Sequence, residues 1–434
     1  MIHNASVYQP HAMLTAMPDR SGLLSYLRAG TLAVWVFTLL VRYWWLSDWF
    51  ALQEQFQQGV NIRAYYYIGF AIALVAHLTL GLEILIAAPF KVLETWSGRL
   101  LTIFCVVTLL TAPLSLVFRA TAVYAVATWG VLAMFVLYWQ SDYRVVRKMV
   151  VLAGIVVLGW LYILLLKHGL IQGFGSAIGG VNRNTTATAA LAGAILCQFS
   201  PRRLVRWAAL AGALLLAVLV TSRGSLTAMG AFVFVYYALH RGVFKTVLHA
   251  AAAGFVVVML LLAITPLRDF LINDVMLLND PHRGIGSGFT GRFEFWKHAI
   301  DSFWDNPVIG VGFRSTTHGG GGDYGAVHSG YLKLLIETGL VGTILVLSAV
   351  VIEGVRRLRL AERFRDIPPA FAPGIDIAST TQVNAIACAT IAMTLTLWVY
   401  EQLYINLGSV ISLVFFLMLA APAYITTQGV PLRR

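Results

Sequence analysis

Apolar runs of about 20 residues recur from one end of the chain to the other, and no other feature narrows its fold as far. At 1.5 Å per residue, a helix of that length crosses the ~30 Å hydrocarbon core of a bilayer. Lipid offers no partner to a backbone N–H or C=O, so such runs fold as helices. They lie near residues 29–46, 65–89, 99–118, 120–139, 149–167, 185–199, 205–221, 225–240, 246–265, 329–352, 380–398 and 405–425. The pattern predicts an all-α integral membrane protein of about 12 transmembrane helices. Composition agrees: 59% of residues are hydrophobic and 12% charged, with a mean hydropathy of +0.78. Soluble domains carry about 25% charged residues. Cys105, Cys197 and Cys388 all fall inside apolar runs, so they read as small buried residues and not as disulfide partners or zinc ligands. The first 20 residues hold no apolar stretch before a cleavage site, so no removable signal peptide is expected.

The formal net charge is +12. In a soluble chain this would suggest nucleic acid, but no RNA- or DNA-binding pattern accompanies it. Most of the charge is explained by the excess of Lys and Arg in cytoplasmic loops of membrane proteins. With the N-terminus placed inside, 19 of the 31 Lys and Arg fall in alternate loops on that side, in clusters such as Arg202, Arg203, Arg206 and Arg356 to Arg365. Both termini then face the cytoplasm and residues 266–328 face outward. Trp44, Trp45 and Trp49 after the first run and Tyr65 to Tyr67 before the second fit the aromatic belts of a membrane interface. The chain divides as 1–265 (spans one to nine), 266–328 (an outer loop) and 329–434 (spans ten to twelve), within a single integrated domain. No internal repeat is evident, and the long interruption falls after the ninth span on the outer side. A six-plus-six transporter would instead carry a central cytoplasmic linker.

An outer loop of about 60 residues exceeds what a connection needs, and long loops of this kind are usually functional. Within it, Phe293, Trp296, Ile300, Phe303 and Trp304 stand at helical spacing. They predict an amphipathic helix from Arg292 to Trp304, on the membrane surface or capping the bundle, ended by Asp305-Asn306-Pro307. A glycine run at 319–322 leads to His328.

Ionisable groups in or beside membrane spans are costly, which makes them candidates for function. Arg223 lies between two apolar runs on the outer side. It is either an interfacial arginine snorkelling to headgroups or a bidentate clamp for phosphate. Arg292 opens the amphipathic helix, where the helix dipole favours an acid, so an arginine there suits a fixed negative ligand. Arg183 and Arg314 complete the outer basic set, with structural or lipid-headgroup roles as their alternative. His328, at the mouth of the tenth span, is either a capping residue or a general base for a hydroxyl nucleophile. His318, Asp323 and Tyr324 are nearby alternatives. His77, Glu83 and Glu337 are expected to pair within the bundle, and Glu401 and Tyr404 lie in the outer turn between the last two spans. No His/Asp/Glu grouping has metal-ligand spacing and no Asp-x-Asp pattern occurs, which disfavours a metal-dependent nucleotide-sugar transferase.

His328-Ser329, then nine residues, Gly339, two residues and Gly342 resembles the signature of bacterial O-antigen ligases. Arg292-Phe-Glu-Phe-Trp296 and Asn306-Pro-Val-Ile-Gly-Val-Gly312 resemble the rest of the block shared by that superfamily. It also holds O-antigen polymerases and membrane protein O-oligosaccharyltransferases. Thr221-Ser-Arg-Gly-Ser225 is similar to its upstream arginine segment, and Asn182 to Asn184 stands where many members carry Asn-Pro-Asn, with Arg183 in place of the proline. The resemblance implies a glycosyltransferase at the periplasmic face of the inner membrane that moves a glycan from undecaprenyl diphosphate onto a hydroxyl of lipid A–core oligosaccharide. By that resemblance Arg223 and Arg292, with Arg183 and Arg314, hold the diphosphate and His328 takes the acceptor proton. The sugar is inverted, and neither metal nor cofactor is required. Membrane lipids are further partners, and nucleic acid is not one. A polymerase or protein O-glycosyltransferase of the same superfamily is the nearest alternative. A transporter of lipid-linked glycan is the alternative from another class.

Overall fold

Caps supplied by the sequence set many of the helix boundaries in the structure, a computed structural model. It describes residues 90–169, 182–275, 292–318, 329–365, 372–400 and 409–429, with a few isolated positions beside them. The expected spans near 29–46 and 65–89 lie outside the described residues. Helix α1 (Trp96–Thr111) begins where the Thr95 hydroxyl accepts from Gly98 N at 3.1 Å, and it gives way to a 3-10 turn around Pro113. α2 (Phe118–Tyr138) follows. α3 (Tyr143–His168) is capped by the Asp142 carboxylate, which accepts from Arg144 N at 2.7 Å. α4 (Arg183–Cys197) is capped by Asn182 in the same way. The remaining long helices are α5 (Arg203–Leu219), α6 (Arg223–Arg241), α7 (Val243–Ala263), α8 (Arg292–Asp305), α9 (Gly330–Arg365), α10 (Ile377–Tyr400) and α11 (Val410–Leu419). A two-stranded antiparallel hairpin, β1 (Tyr424–Ile425) with β2 (Pro431–Leu432), follows them.

Burial sorts these helices into layers. α4 is buried without a break from Thr186 to Cys197, and all ten residues of α11 are buried. A helix that is apolar all round belongs in the middle of a bundle. α4 packs on α3, α5 and α11, while α10 packs on α9 and α6. Lipid provides no hydrophobic drive between helices, so close approach of small residues substitutes for it. Gly154 of α3 meets Gly193 of α4 so closely that a Cβ on Gly154 would sit 2.6 Å from the Gly193 carbonyl oxygen. The three cysteines are free and buried. α7 is the reverse case, a strongly apolar helix whose residues are almost all exposed, as a lipid-facing span requires.

Among the described residues, six helices are long and apolar enough to cross a membrane: α1, α2, α3, α7, α9 and α10. The chain is a multi-pass membrane protein. Several boundaries differ from the sequence expectation: α1 ends at Thr111, short of 118, at the turn around Pro113, and α3 begins at Tyr143, ahead of 149, at its Asp142 cap. α9 runs on to Arg365, well past 352, because Glu353 and Arg357 pair at i,i+4 with N···O 2.6 Å and carry the helix beyond its apolar part. Among the described residues of the run at 405–425, the helix is the ten-residue α11, since the chain leaves it before Pro422 and turns into the hairpin. α8 lies where apolar spacing predicted it. Ala299 and Phe303 are buried in a cluster with Ile336 of α9, while Ile300 and Trp304 point outward.

Candidate functional site

The N-terminal part of α9 is broken, and the break organises what surrounds it. Gly339 sits at φ 62°, ψ −167°, a conformation open essentially to glycine alone. An unbroken helix would pair Leu340 N with Ile336 O and Val341 N with Glu337 O. Here the segment Pro307–Gly312 takes over all four groups. Leu340 N donates to Pro307 O (2.9 Å) and Val341 N to Val308 O (3.1 Å). In return Val311 N donates to Ile336 O (2.9 Å) and Gly312 N to Glu337 O (2.9 Å). The approach is so close that a Cβ on Gly310 would sit 2.5 Å from Ile336 O, and one on Gly339 would sit 2.3 Å from Val308 O. The Asn-Pro-Val-Ile-Gly-Val-Gly stretch and the Gly339-x-x-Gly342 stretch are thus two halves of one strap. It fixes the end of α8 against α9.

Beyond the strap, Phe313 stacks edge-on against Phe104 of α1 (5.4 Å between centroids) and Tyr124 of α2 (6.4 Å), and its carbonyl accepts from the Thr121 hydroxyl at 3.0 Å. Arg314 comes next, at φ 60° and 5% exposed. Its backbone N donates to Glu337 Oε2 at 2.9 Å, and its guanidinium lies over the Tyr124 ring at 5.3 Å. The other carboxylate oxygen of Glu337 accepts from the Thr316 hydroxyl, and the charges of Arg314 and Lys333 lie beside it. Glu337 is fully buried and paired within the bundle, as its position in an apolar run led us to expect. Arg314 Nε is buried with no hydrogen-bond partner among the described residues.

A second convergence lies at the starts of α4 and α6. Arg183 is the first residue of α4 and Arg223 the first of α6, and both are half-buried. The Ser222 hydroxyl joins the two ends, donating to Asn184 Oδ1 at 3.1 Å; it lies 3.0 Å from the Ser225 hydroxyl as well. α5 turns into α6 through Ser222 N to Ala217 O (3.0 Å), with Thr221 in the left-handed region at φ 49°. A β-branched residue there is strained, and the tight turn it makes sets Arg223 beside α4. Two helix N-termini that meet and each open with an arginine concentrate positive charge, an arrangement suited to an anion.

The structure therefore joins the helix ends that carry Arg183 and Arg223, and it lays Arg314 against α2 and α9. Arg292 is the first residue of α8. His328, Asp323, Tyr324, His77, Glu83, Glu401 and Tyr404 lie outside the described residues, and His318 ends a one-turn helix, Ser315–His318. Sequence reasoning quoted Ser222 and Asn184 within motifs without their contact, and it gave no site role to Tyr124 under Arg314 or to Lys333. The last had a readable signal, standing four residues before Glu337 inside an apolar run.

Residues 208–347 match a family described as O-antigen ligase. The matched stretch begins in α5 and ends in α9. It takes in the Thr221 turn, Arg223, α8, the strap and the break at Gly339. No curated protein matches the chain by sequence. The match over residues 208–347, about a third of the chain, supports its placement in the O-antigen ligase/polymerase superfamily.

Proposed function

We propose that this protein is an O-antigen ligase, transferring a glycan from undecaprenyl diphosphate to a hydroxyl of lipid A–core oligosaccharide at the periplasmic face of the inner membrane. The observation that carries the reading is the joined pair of helix starts bearing Arg183 and Arg223, of which the α6 start lies within the matched stretch. In the reaction the acceptor oxygen attacks the anomeric carbon as the bond from that carbon to the phosphate oxygen breaks. His328 takes the hydroxyl proton, and the electron pair of the broken bond leaves on the diphosphate. Arg183, Arg223 and Arg292 offset that growing negative charge, and Arg314 adds its charge from just beyond the strap. Single displacement inverts the anomeric centre. Several arginines offsetting the diphosphate make a metal ion unnecessary.

Site variants test the assignment. His328→Ala is expected to lower transfer by about 10² to 10⁴, the usual worth of a general base, in protein that still inserts and folds. Arg223→Lys keeps the charge but loses the fork, and is expected to cost about tenfold or more, from one charge-assisted bond of about 1.5 kcal/mol. Wild-type rates in His328→Ala would remove the histidine from the reaction, and wild-type rates in Arg223→Lys would return Arg223 to the lipid interface.

A further inference from the structure

The far end of α9 holds a feature that the transfer reaction does not use. An open groove of about 480 Å³ runs along the helix, with Val351, Ile352 and Val355 as its apolar floor, Arg356 and Arg359 at one end and Tyr424 of β1 in its wall. Val351, Ile352 and Val355 are 51%, 41% and 40% exposed. From Val351 to Arg359 the groove follows the helix for about 12 Å, enough for a phosphate and the adjoining part of an acyl chain. Arg356 and Arg359 stand one turn apart, about 5–6 Å between Cβ atoms, the separation at which two guanidinium groups reach one phosphate.

The wall opposite is fixed. Arg357 is fully buried and donates to Glu353 Oε1 (2.6 Å), Asn384 Oδ1 (2.9 Å), Pro422 O (2.7 Å) and Ala421 O. Asn384 donates in turn to Ala423 O at 2.9 Å. Tyr424 follows directly and packs edge-on against Phe364 at 5.6 Å, so the groove is preformed. The charge nearby is one-sided. Arg356, Arg357, Arg359, Arg363 and Arg365 face Glu353 and Glu362 along one stretch of α9, an excess of three positive charges. Glu353 is already shared, accepting from Arg356 at 3.0 Å, from Arg357 and from the Ser97 hydroxyl at 2.9 Å.

We propose that this groove binds one anionic phospholipid. Part of an acyl chain lies on Val351, Ile352 and Val355, and the phosphate sits between Arg356 and Arg359. An apolar floor of about 6 Å ending at two arginines matches the phosphate and the adjoining part of an acyl chain in both shape and sign. Cationic pockets at membrane-protein surfaces take anionic headgroups, each arginine contributing about 1 kcal/mol. The inference does not depend on the transfer reaction.

The test is native mass spectrometry of the full-length protein in detergent, titrated with phosphatidylglycerol or phosphatidylcholine of identical acyl chains. One tightly held phosphatidylglycerol is expected, preferred over phosphatidylcholine by at least about fivefold. Arg359→Gln should weaken phosphatidylglycerol about fivefold, which is about 1 kcal/mol. Val355→Trp fills the floor without altering charge and should weaken both lipids. Both substituted residues are exposed, so melting points should stay at the wild-type value and report intact folding. Inorganic phosphate at millimolar concentration should not displace the lipid. Equal binding of the two lipids, or phosphatidylglycerol binding unchanged in Val355→Trp, would overturn the proposal. Displacement by inorganic phosphate would overturn it too, in favour of a free-anion site.

Discussion

Replacing Gly339 by alanine attacks the strap at its tightest point. The backbone there lies in a region that costs a residue with a Cβ about 1–3 kcal/mol. The new methyl carbon would also sit 2.3 Å from Val308 O and 2.5 Å from Ile309 N, so strap and helix must part. Parting them weakens at least the Leu340–Pro307 and Val341–Val308 bonds, each worth about 1 kcal/mol. The sum is about 3–5 kcal/mol. Unfolding entropy of about 2.1 cal/mol/K per residue over 434 residues gives about 0.9 kcal/mol/K, so the melting point should fall by about 3–5 °C. Cys105, Cys197 and Cys388 are all buried, so a thiol-reactive fluorophore reports unfolding without added labels. Gly354→Ala in the same helix is the control. Its Cβ would meet only Ile391 Cγ2 at 3.4 Å, and alanine is the better helix former, so stability should hold or rise slightly. Transfer activity should fall in Gly339→Ala and not in Gly354→Ala. If the two variants melt and react alike, the strap does not hold the site as described.

Arg357→Met should lower stability by about 3–5 kcal/mol, because it takes one buried donor from Asn384 Oδ1, Pro422 O and Ala421 O and leaves Glu353 with only Arg356 and Ser97 among the described residues. Adding Glu353→Leu should recover part of that loss, and a double variant less stable than Arg357→Met would contradict the buried-pair explanation. Thr221→Gly should raise the melting point by about 1–2 °C, since it relieves a left-handed threonine and removes a buried hydroxyl with no partner among the described residues. A lower melting point would show that the turn is not strained.

Much of the described helical frame was readable, because the bilayer leaves so few alternatives. Runs near 120–139 and 225–240 became α2 and α6 with ends within a few residues, and the apolar spacing from Phe293 to Trp304 placed α8. Glu337 was expected to be paired, and its partners are Arg314 and Thr316. The strap was not readable as a strap. Gly310 and Gly339 are 29 residues apart, and only the hydrogen bonds exchanged across that distance reveal that one motif completes the other. The joined starts of α4 and α6 were hidden for the same reason, as Asn184 and Ser222 stand 38 residues apart. Arg357 sat in an arginine cluster that reads as a solvated cytoplasmic edge. It is fully buried because Pro422, Ala421 and Asn384 all turn acceptors toward it.

The central claim is the reaction, and the most direct measurement is transfer by purified protein in EDTA. Undecaprenyl-diphosphate glycan would be supplied with lipid A–core in one tube and with no acceptor in another. Glycan attached to lipid A–core in the first tube, and donor of unchanged chain length in the second, is the predicted result. Longer undecaprenyl-linked chains without acceptor would make the protein a polymerase. No product in either tube, with folded protein and competent donor, would contradict the account.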